Sequence, residues 1–439
     1  MTAHRHAHAS GAVLGVDLGT SAVKAAVVSE GRILSTASAP LDIVSPQPGW
    51  SEQNPENWLT AASAAVRLAV SQSPCSADNI CAIGLSGQMH GAVTLDCHGT
   101  PVRPAILWND NRATAECAEL AHIMPQIGTI AGIGPLPGFT APKLMWMRTH
   151  EAWNFDAIHR IMLPKDYLGY WMTGNAVTDT SDAAGTMWLD QRTRDWSAEI
   201  AGISGIDLGW LSEVKSGFDL AGPLRKETAE ELGLASGIPV YAGGGDATTG
   251  ALSLGAAEAG KCFMSLGTSG QFLVVDDAYL PAPEKFVHAY CHTLPDKWFR
   301  MAAMLNGTRP LAWFAQVLKT SVREMLDQAK TCDMSRVPLF LPYLTGERSP
   351  HGDPDIRGCF YGLDDATGAA EMARAVVEAV AFSMGEAKES FGPEFAPEGV
   401  IPVIGGGSRS DEVLQVLADT LQHPVARADA GEGGAALGA

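Results

Sequence analysis

Two copies of Leu-Gly-Thr-Ser, at Leu18–Ser21 and Leu266–Ser269, carry the first chemistry that can be read from this chain. A turn of that composition presents backbone N–H groups and hydroxyls with no bulky side chain in the way, which suits phosphate oxygens. Asp17 precedes the first copy. A carboxylate there can hold Mg²⁺ near the β- and γ-phosphates, directly or through water; it can equally be a turn-former bonded to its own backbone. The second copy has Ser265 at that place, so the two turns are not equivalent. Gly243-Gly-Gly-Asp246 sets a carboxylate at the start of a helix. Asp246 can take the proton from an attacking hydroxyl, kept ionised by the helix N-terminus, with the glycines letting a ligand come close. The plain alternative is an N-cap. Ser86-Gly-Gln-Met-His-Gly91 ends a buried strand and suits a pocket for a polyhydroxylated ligand, or is a loop with a satisfied histidine. Gly405-Gly-Gly-Ser408 has the form of a turn on which a base or ribose lies flat, or of a tight connection.

The elements that must position these groups follow from periodicity. Three short strands open the chain, about Val13–Asp17, Val23–Val28 and Arg32–Ala37, so the first turn joins a β-hairpin. A helix over about Pro55–Ser71 follows, with Asn54 as N-cap and Pro55 at its first position. Strands at Ile80–Leu85 and Val93–Asp96, a short one ending at Trp108 and a helix at Arg112–His122 come next. Residues 124–220 read as a Gly-, Pro- and Trp-rich insertion, with helix patterns at Lys143–Thr149 and Lys165–Thr173. The second half begins near Gly237, with a strand at Pro239–Ala242, a helix at Ala247–Leu254 and the second hairpin. Helices are expected at Arg309–Leu318, Val322–Lys330, Ala369–Glu389 and Asp411–Leu421, and a strand at Ile401–Ile404.

At 439 residues the chain is too long for one core, so two domains are expected. A net charge of -19 with no basic run disfavours nucleic acid and anionic membrane as partners. No run of 18 apolar residues offers a membrane span. Eight cysteines without a Cys-x-x-Cys pair point to reduced thiols in the cytoplasm. His4, His6 and His8 lie in a polar leader, residues 1–11, expected to be disordered. Gly255-x-x-x-x-Gly260-Lys261 imitates a P-loop, but Cys262 follows and the order is helix then strand, the reverse of what a P-loop needs.

Taken in order, these residues resemble the FGGY carbohydrate kinases, and among them the xylulokinase branch. The pieces are Asp17-Leu-Gly-Thr-Ser-x-x-Lys24, Gly49-Trp-Ser-Glu-Gln53, Ser86-Gly-Gln-Met-His-Gly91, Leu107-Trp-Asn-Asp-x-Arg112 and Leu163-Pro-Lys-Asp-Tyr167. Gly243-Gly-Gly-Asp246, Ser265-Leu-Gly-Thr-Ser-Gly270, Tyr343-Leu-Thr-Gly-Glu-Arg-Ser-Pro-His351 and Gly405-Gly-Gly-Ser-Arg409 continue the series. The resemblance implies an α/β fold of two actin-like, RNase H-like domains, 12–236 for the sugar and 237–439 for the nucleotide, with the active site in the cleft between them. It implies ATP and Mg²⁺, with Asp246 as the base and Asp17 near the metal. Gln88, Met89, His90 and Trp108 would meet the sugar. Thr20, Ser21, Lys24, Gly267, Thr268 and Ser269 would meet the phosphates, and Gly406, Gly407 and Arg409 the adenosine.

The implied reaction is phosphorylation of a ketopentose, D-xylulose first, to the 5-phosphate. A homodimer is compatible with the resemblance. Two departures stand out: Ala247 replaces the Asn that usually follows the catalytic Asp, and the chain ends before the helices that usually close the second domain. The first favours a rival, a kinase for another ketose or a pentitol; the second, an inactive kinase. A rival of another class is a nucleotide-switched clamp of the actin or chaperone type.

Overall fold

The computed structural model describes residues 11–428 and 434–439; the leader with His4, His6 and His8 lies outside the described residues. The chain divides into two compact units. Unit 1 draws on Met1–Ser253, Tyr290–Asp296 and Gly431–Ala439, and unit 2 on Leu254–Ala289 and Lys297–Ala430.

Unit 1 is built on a mixed sheet. Its first hairpin strands are β1 (Ala12–Leu18) and β2 (Ala22–Ser29), followed by β3 (Arg32–Pro40). Leu14, Val16 and Leu18 of β1 are fully buried. Helix α1 (Pro55–Gln72) starts as the sequence requires: Pro55 opens it and the Asn54 side chain accepts from Glu56 N–H at 3.1 Å. Its Trp58, Ala62, Ala65, Val66 and Ala69 enter the core against the sheet.

Strand β4 (Ile80–Gly87) pairs parallel with β1 and sets Asp17 opposite Ser86. The stretch expected as a decorating insertion carries the two expected helices and further short ones, whose apolar side chains find core positions. It includes α2 (Thr140–His150), α3 (Pro164–Thr173) and the short α4 (Thr180–Ala184). Strands β5 (Leu220–Pro223), β6 (Pro239–Tyr241) and β7 (Gly244–Gly245) complete the seven-stranded sheet, in the order β5-β6-β4-β1-β2-β3 with β7 also on β4. Helix α5 (Asp246–Ser253) follows directly.

The expected boundary at 236/237 therefore falls inside unit 1. β6 and β7 hydrogen-bond to β4, and that pairing keeps residues 237–253 in the first unit.

Unit 2 has its own six-stranded sheet. The second hairpin is β8 (Cys262–Leu266) and β9 (Gly270–Asp276), with β10 (Val287–Cys291) and β11 (Trp298–Met304) beyond it. Helices α6 (Arg309–Val317), α7 (Val322–Ala329) and α8 (Ala369–Ser390) cover it. Val376, Val380 and Met384 of α8 are buried; Met372 sits at the edge of the cluster. Strand β12 (Ile401–Ile404), helix α9 (Asp411–Leu421) and strand β13 (Val425–Arg427) end this unit. Val413, Leu417 and Leu421 line the buried face of α9, with Leu414 only partly covered.

The last helix, α10 (Ala435–Gly438), returns to unit 1, where Ala436 O approaches so close to Gly15 that a Cβ there would sit 1.8 Å from it. Among the described residues no helix is long and apolar enough to cross a membrane, and no disulfide forms.

Candidate active site

In unit 1 the parallel pairing of β1, β4 and β7 gathers the chemistry at their carboxyl ends. Asp17 is almost fully buried and accepts from Ser86 Oγ at 2.9 Å. Ser86 Oγ also lies 2.8 Å from Thr249 Oγ1, on the helix that begins at Asp246. A chain of hydroxyls thus joins the first turn to the first turn of α5. Burial raises the Asp17 carboxyl above its usual range, against the Ser86 hydrogen bond and the Lys24 charge, which lower it. Lys24 faces Asp17 across the hairpin register and is exposed.

Asp246 departs from expectation. A helix N-terminus was expected to keep it ionised, yet its pKa is raised to about 7. Desolvation by the surrounding protein is the largest cause and the Asp17 charge the second; the Ala247 N–H opposes them. The residue's own surface is exposed, so water screens part of the effect. The like-charged neighbour acts in the same direction, and a base titrating near neutrality is suited to proton transfer at physiological pH.

The three glycines are also required by the protein's own packing. Gly243 has φ +76°, and a Cβ on it would sit 1.9 Å from Leu85 O; on Gly245 it would sit 2.9 Å from Met89 Cγ. The run lets the strand before Asp246 lie hard against β4 and Met89.

Met89 is buried, and His90 adopts a left-handed backbone with φ +68°. That geometry is held from three sides. His90 Nδ1 lies 2.7 Å from Gly185 O, and a carbonyl only accepts, so this nitrogen carries the proton. Lys143 Nζ and Thr140 Oγ1 both donate to His90 O, at 2.8 and 3.1 Å. The imidazole packs against Phe139 with the rings tilted by 37° and centroids 4.6 Å apart. Burial pushes the Lys143 ammonium well below its ordinary pKa; Asp110 pulls it back up and Arg112 pushes it further down.

Trp108 is half exposed, and its Nε1 donates to Thr20 Oγ1 at 2.9 Å. Thr20 Oγ1 in turn donates to Gln88 Oε1 at 3.0 Å. Gln53 anchors this group, donating to Thr20 O at 2.8 Å and accepting from Gln88 Nε2 and Trp58 Nε1. The Trp108 loop is fixed by Asp110, which pairs with Arg112 at 2.8 Å and accepts Ser51 N–H at 2.6 Å. Arg112 lies over the Trp50 ring, 3.7 Å from its centroid. Ser21 is exposed at the tip of the turn.

In unit 2 the second turn rests on residues 307–309. Gly307 N–H donates to Thr268 O at 3.0 Å, and Thr308 N–H and Oγ1 donate to Gly267 O at 2.7 and 2.8 Å. Thr268 and Ser269 are exposed. Gly405 and Gly407 are packed against Leu266 and Thr308, whereas nothing stands within 4 Å of a Cβ on Gly406. Arg409 is exposed, and its carbonyl accepts from Arg427 at 3.1 Å.

The sequence-predicted residues therefore form two groups. Asp17, Thr20, Ser21, Lys24, Gln88, Met89, His90, Trp108 and Asp246 belong to unit 1; Gly267, Thr268, Ser269, Gly406, Gly407 and Arg409 belong to unit 2. Sequence reasoning gave no role to Ser86, Thr249, Gln53, Lys143 or Gly185. For Lys143 the signal was present: a single cation within the apolar run Pro142–Met147.

A divalent cation fits unit 1. Two carboxylates, Asp17 and Asp246, repel one another, and among the described residues no ammonium or guanidinium forms an ion pair with either. Among the described residues no three His, Cys, Asp or Glu side chains form a complete metal cage. Few protein carboxylates, with phosphates and water supplying the rest, is the habit of Mg²⁺.

Comparison with known proteins shows the family. The N-terminal domain of the FGGY family of carbohydrate kinases matches residues 12–253 and its C-terminal domain matches 262–439. The chain is 40% identical over 429 residues to a xylulose kinase of Escherichia coli K12, covering 97% of this chain and 88% of that one. A "xyloylose kinase" structure from Brucella ovis superposes with TM-score 0.93 at 40% identity, covering 98% and 89% of the two chains. A gluconate kinase from Lactobacillus acidophilus superposes with TM-score 0.91 at 26% identity, covering 97% and 87%.

Proposed function

Because the chain belongs to the FGGY family of carbohydrate kinases, we propose that it transfers the γ-phosphoryl group of ATP to D-xylulose, giving D-xylulose 5-phosphate and ADP. The observation that carries this reading is Asp246, a carboxylate with pKa about 7 on the first residue of α5, beside the Met89 and His90 shelf. In the proposed step Asp246 takes the proton of the sugar hydroxyl as that oxygen bonds to the γ-phosphorus. The bond from phosphorus to the β,γ-bridging oxygen breaks, and its electron pair leaves on ADP. Phosphoryl transfer needs little covalent work from a protein, so positioning and charge stabilisation dominate. His90, fixed by Gly185, Lys143 and Thr140, and Trp108, fixed through Thr20, would orient the sugar. Asp17 would hold Mg²⁺, which when bound offsets the charge of the phosphates and of the two carboxylates. The exposed hydroxyls of Thr268 and Ser269 would meet phosphate, and Gly406 and Arg409 the adenosine.

A sugar acid or a pentitol is the second reading. Ala247 puts no polar side chain beside the base, and the gluconate kinase shares the fold at TM-score 0.91. Sugar-dependent ADP release with D-xylulose, pentitols and gluconate separates the two; a preference for either alternative class defeats the xylulose assignment. Asp246→Asn is expected to lower kcat by about 10²–10⁴-fold, the usual contribution of a general base. A variant that keeps most of its turnover would remove Asp246 from that role.

A further inference from the structure

Beneath the glycine run lies a cluster of charge that no step above uses. Lys165 on α3 is fully buried, and its Nζ is 2.6 Å from Asp166 Oδ1, 3.2 Å from Asp179 Oδ1 and 3.8 Å from Asp182 Oδ2. The same ammonium donates to Ala242 O at 3.0 Å. Asp179 Oδ2 accepts both from Ser181 N–H at 2.8 Å and from Ser181 Oγ at 2.5 Å. With its proton committed to Asp179, Ser181 Oγ can only accept. It does so from Gly245 N–H at 3.0 Å and from Thr248 Oγ1 at 3.0 Å. Asp179, Ser181, Asp182 and Thr248 are all fully buried.

We propose that this Lys165–Asp179–Ser181 network is a positioning device for Asp246. It clamps the backbone on both sides of the glycine run, at Ala242 O and at Gly245 N–H, so that the base is presented in one place. The inference rests on the reading of Asp246 as the base. Three glycines in succession have more backbone freedom than any other tripeptide, and the residue that follows inherits it. A clamp ending on Gly245 N–H removes that freedom one residue before the base, and Thr248 fixes the helix two residues after it.

The cluster is poorly explained as a device for stability alone. Replacing a buried ion pair by apolar side chains is often neutral or stabilising, and both carboxylate oxygens of Asp182 lack a hydrogen-bond partner. Burial is the main cause that holds Asp182 well above the usual carboxylate range, with the charges of Asp166, Asp179 and Asp246 acting the same way and that of Lys165 against them. The positioning residues are Lys165, Asp179 and Ser181; none touches the reacting atoms.

The test uses the full chain. Ser181→Ala is expected to lower kcat for sugar-dependent ADP release by between about 10- and 100-fold, the cost of a displacement on the order of 1 Å at the reacting groups. The KM for ATP should change by less than about twofold, and amide exchange of the peptide over residues 243–249 should quicken. Thr248→Ser keeps the hydroxyl and should remain within about threefold of the parent, whereas Thr248→Val should fall below it. A Ser181→Ala protein with kcat within about twofold of the parent, or with unchanged exchange at 243–249, overturns the inference, as does a Thr248→Ser that loses as much as Thr248→Val. A parent protein without turnover on any sugar overturns the kinase reading instead, so the two failures are told apart.

Discussion

With Asp246 as the proposed base, its elevated pKa sets the pH dependence expected of the reaction. An ordinary aspartate titrates near 4 and is fully ionised throughout the neutral range. Asp246, raised to about 7 by desolvation and then by Asp17, is about nine-tenths protonated at pH 6 and about nine-tenths ionised at pH 8. Only the ionised form accepts a proton from the sugar. With both substrates well below their KM, rates report the groups of the unliganded protein. Under those conditions the rate should climb about tenfold per pH unit up to about pH 7 and then level off. Asp17→Asn removes the second cause of the shift, so the acid limb should move to lower pH while the plateau also falls, Asp17 being part of the machinery. The measurement is a coupled ADP assay from pH 5 to 8.5 at constant ionic strength. A limb centred near 4 in the parent, or one that Asp17→Asn leaves in place, would refute the reasoning. The sign for stability is opposite to the common carboxylate case. The folded protein binds this proton more tightly than the unfolded chain, so the contribution is fully present below about pH 4 and is lost as pH rises through about 7.

Two further perturbations read the scaffold. Gly243→Ala places a Cβ 1.9 Å from Leu85 O in a left-handed backbone, so the thermal midpoint should fall by several degrees; a change within one degree would show that β7 can move away. Lys165→Ala leaves Asp166, Asp179 and Asp182 without their ammonium and should cost about 3–5 kcal/mol. Chemical denaturation measures the loss; one below about 1 kcal/mol would contradict the charge argument.

Much of this arrangement was legible in the sequence because local signals agreed with the fold. The Leu-Gly-Thr-Ser hairpins, the Asn54-Pro55 helix start and the α9 pattern need only neighbours along the chain, and the elements form where these place them. The domain boundary differs because the second half was expected to begin near Gly237, with the strand that leads into the Gly243 run, whereas pairing with β4, which residue types do not reveal, keeps strand and run in unit 1. The pKa of Asp246 was misjudged for a related reason. The helix dipole is visible from sequence position, but desolvation and Asp17, 229 residues away in the chain, are not. The Lys165 cluster was legible only as residue types in Leu163–Tyr167; its partners at 179–182 and 242–245 meet it through the tertiary fold.

The paired tetrapeptides, identical in sequence, do unlike work, and the hydrogen bonds around them say how. In the first, Thr20 Oγ1 is spent inside the protein, accepting from Trp108 and donating to Gln88, while Thr20 O is held by Gln53. Its hydroxyl therefore holds Trp108 and Gln88 together. In the second, the scaffold grips the carbonyls of Gly267 and Thr268 instead, and among the described residues no hydrogen bond engages the Thr268 or Ser269 hydroxyls. A turn held by its carbonyls keeps its donors outward. The carboxylate follows the same division: Asp17 is tied through Ser86 to Thr249, which lies on the helix that begins at Asp246, whereas Ser265 takes its place beside the second turn. The two hairpins share their sequence and antiparallel pairing, and on the proposed function their differing hydrogen bonds would separate the proton and the metal from the phosphates.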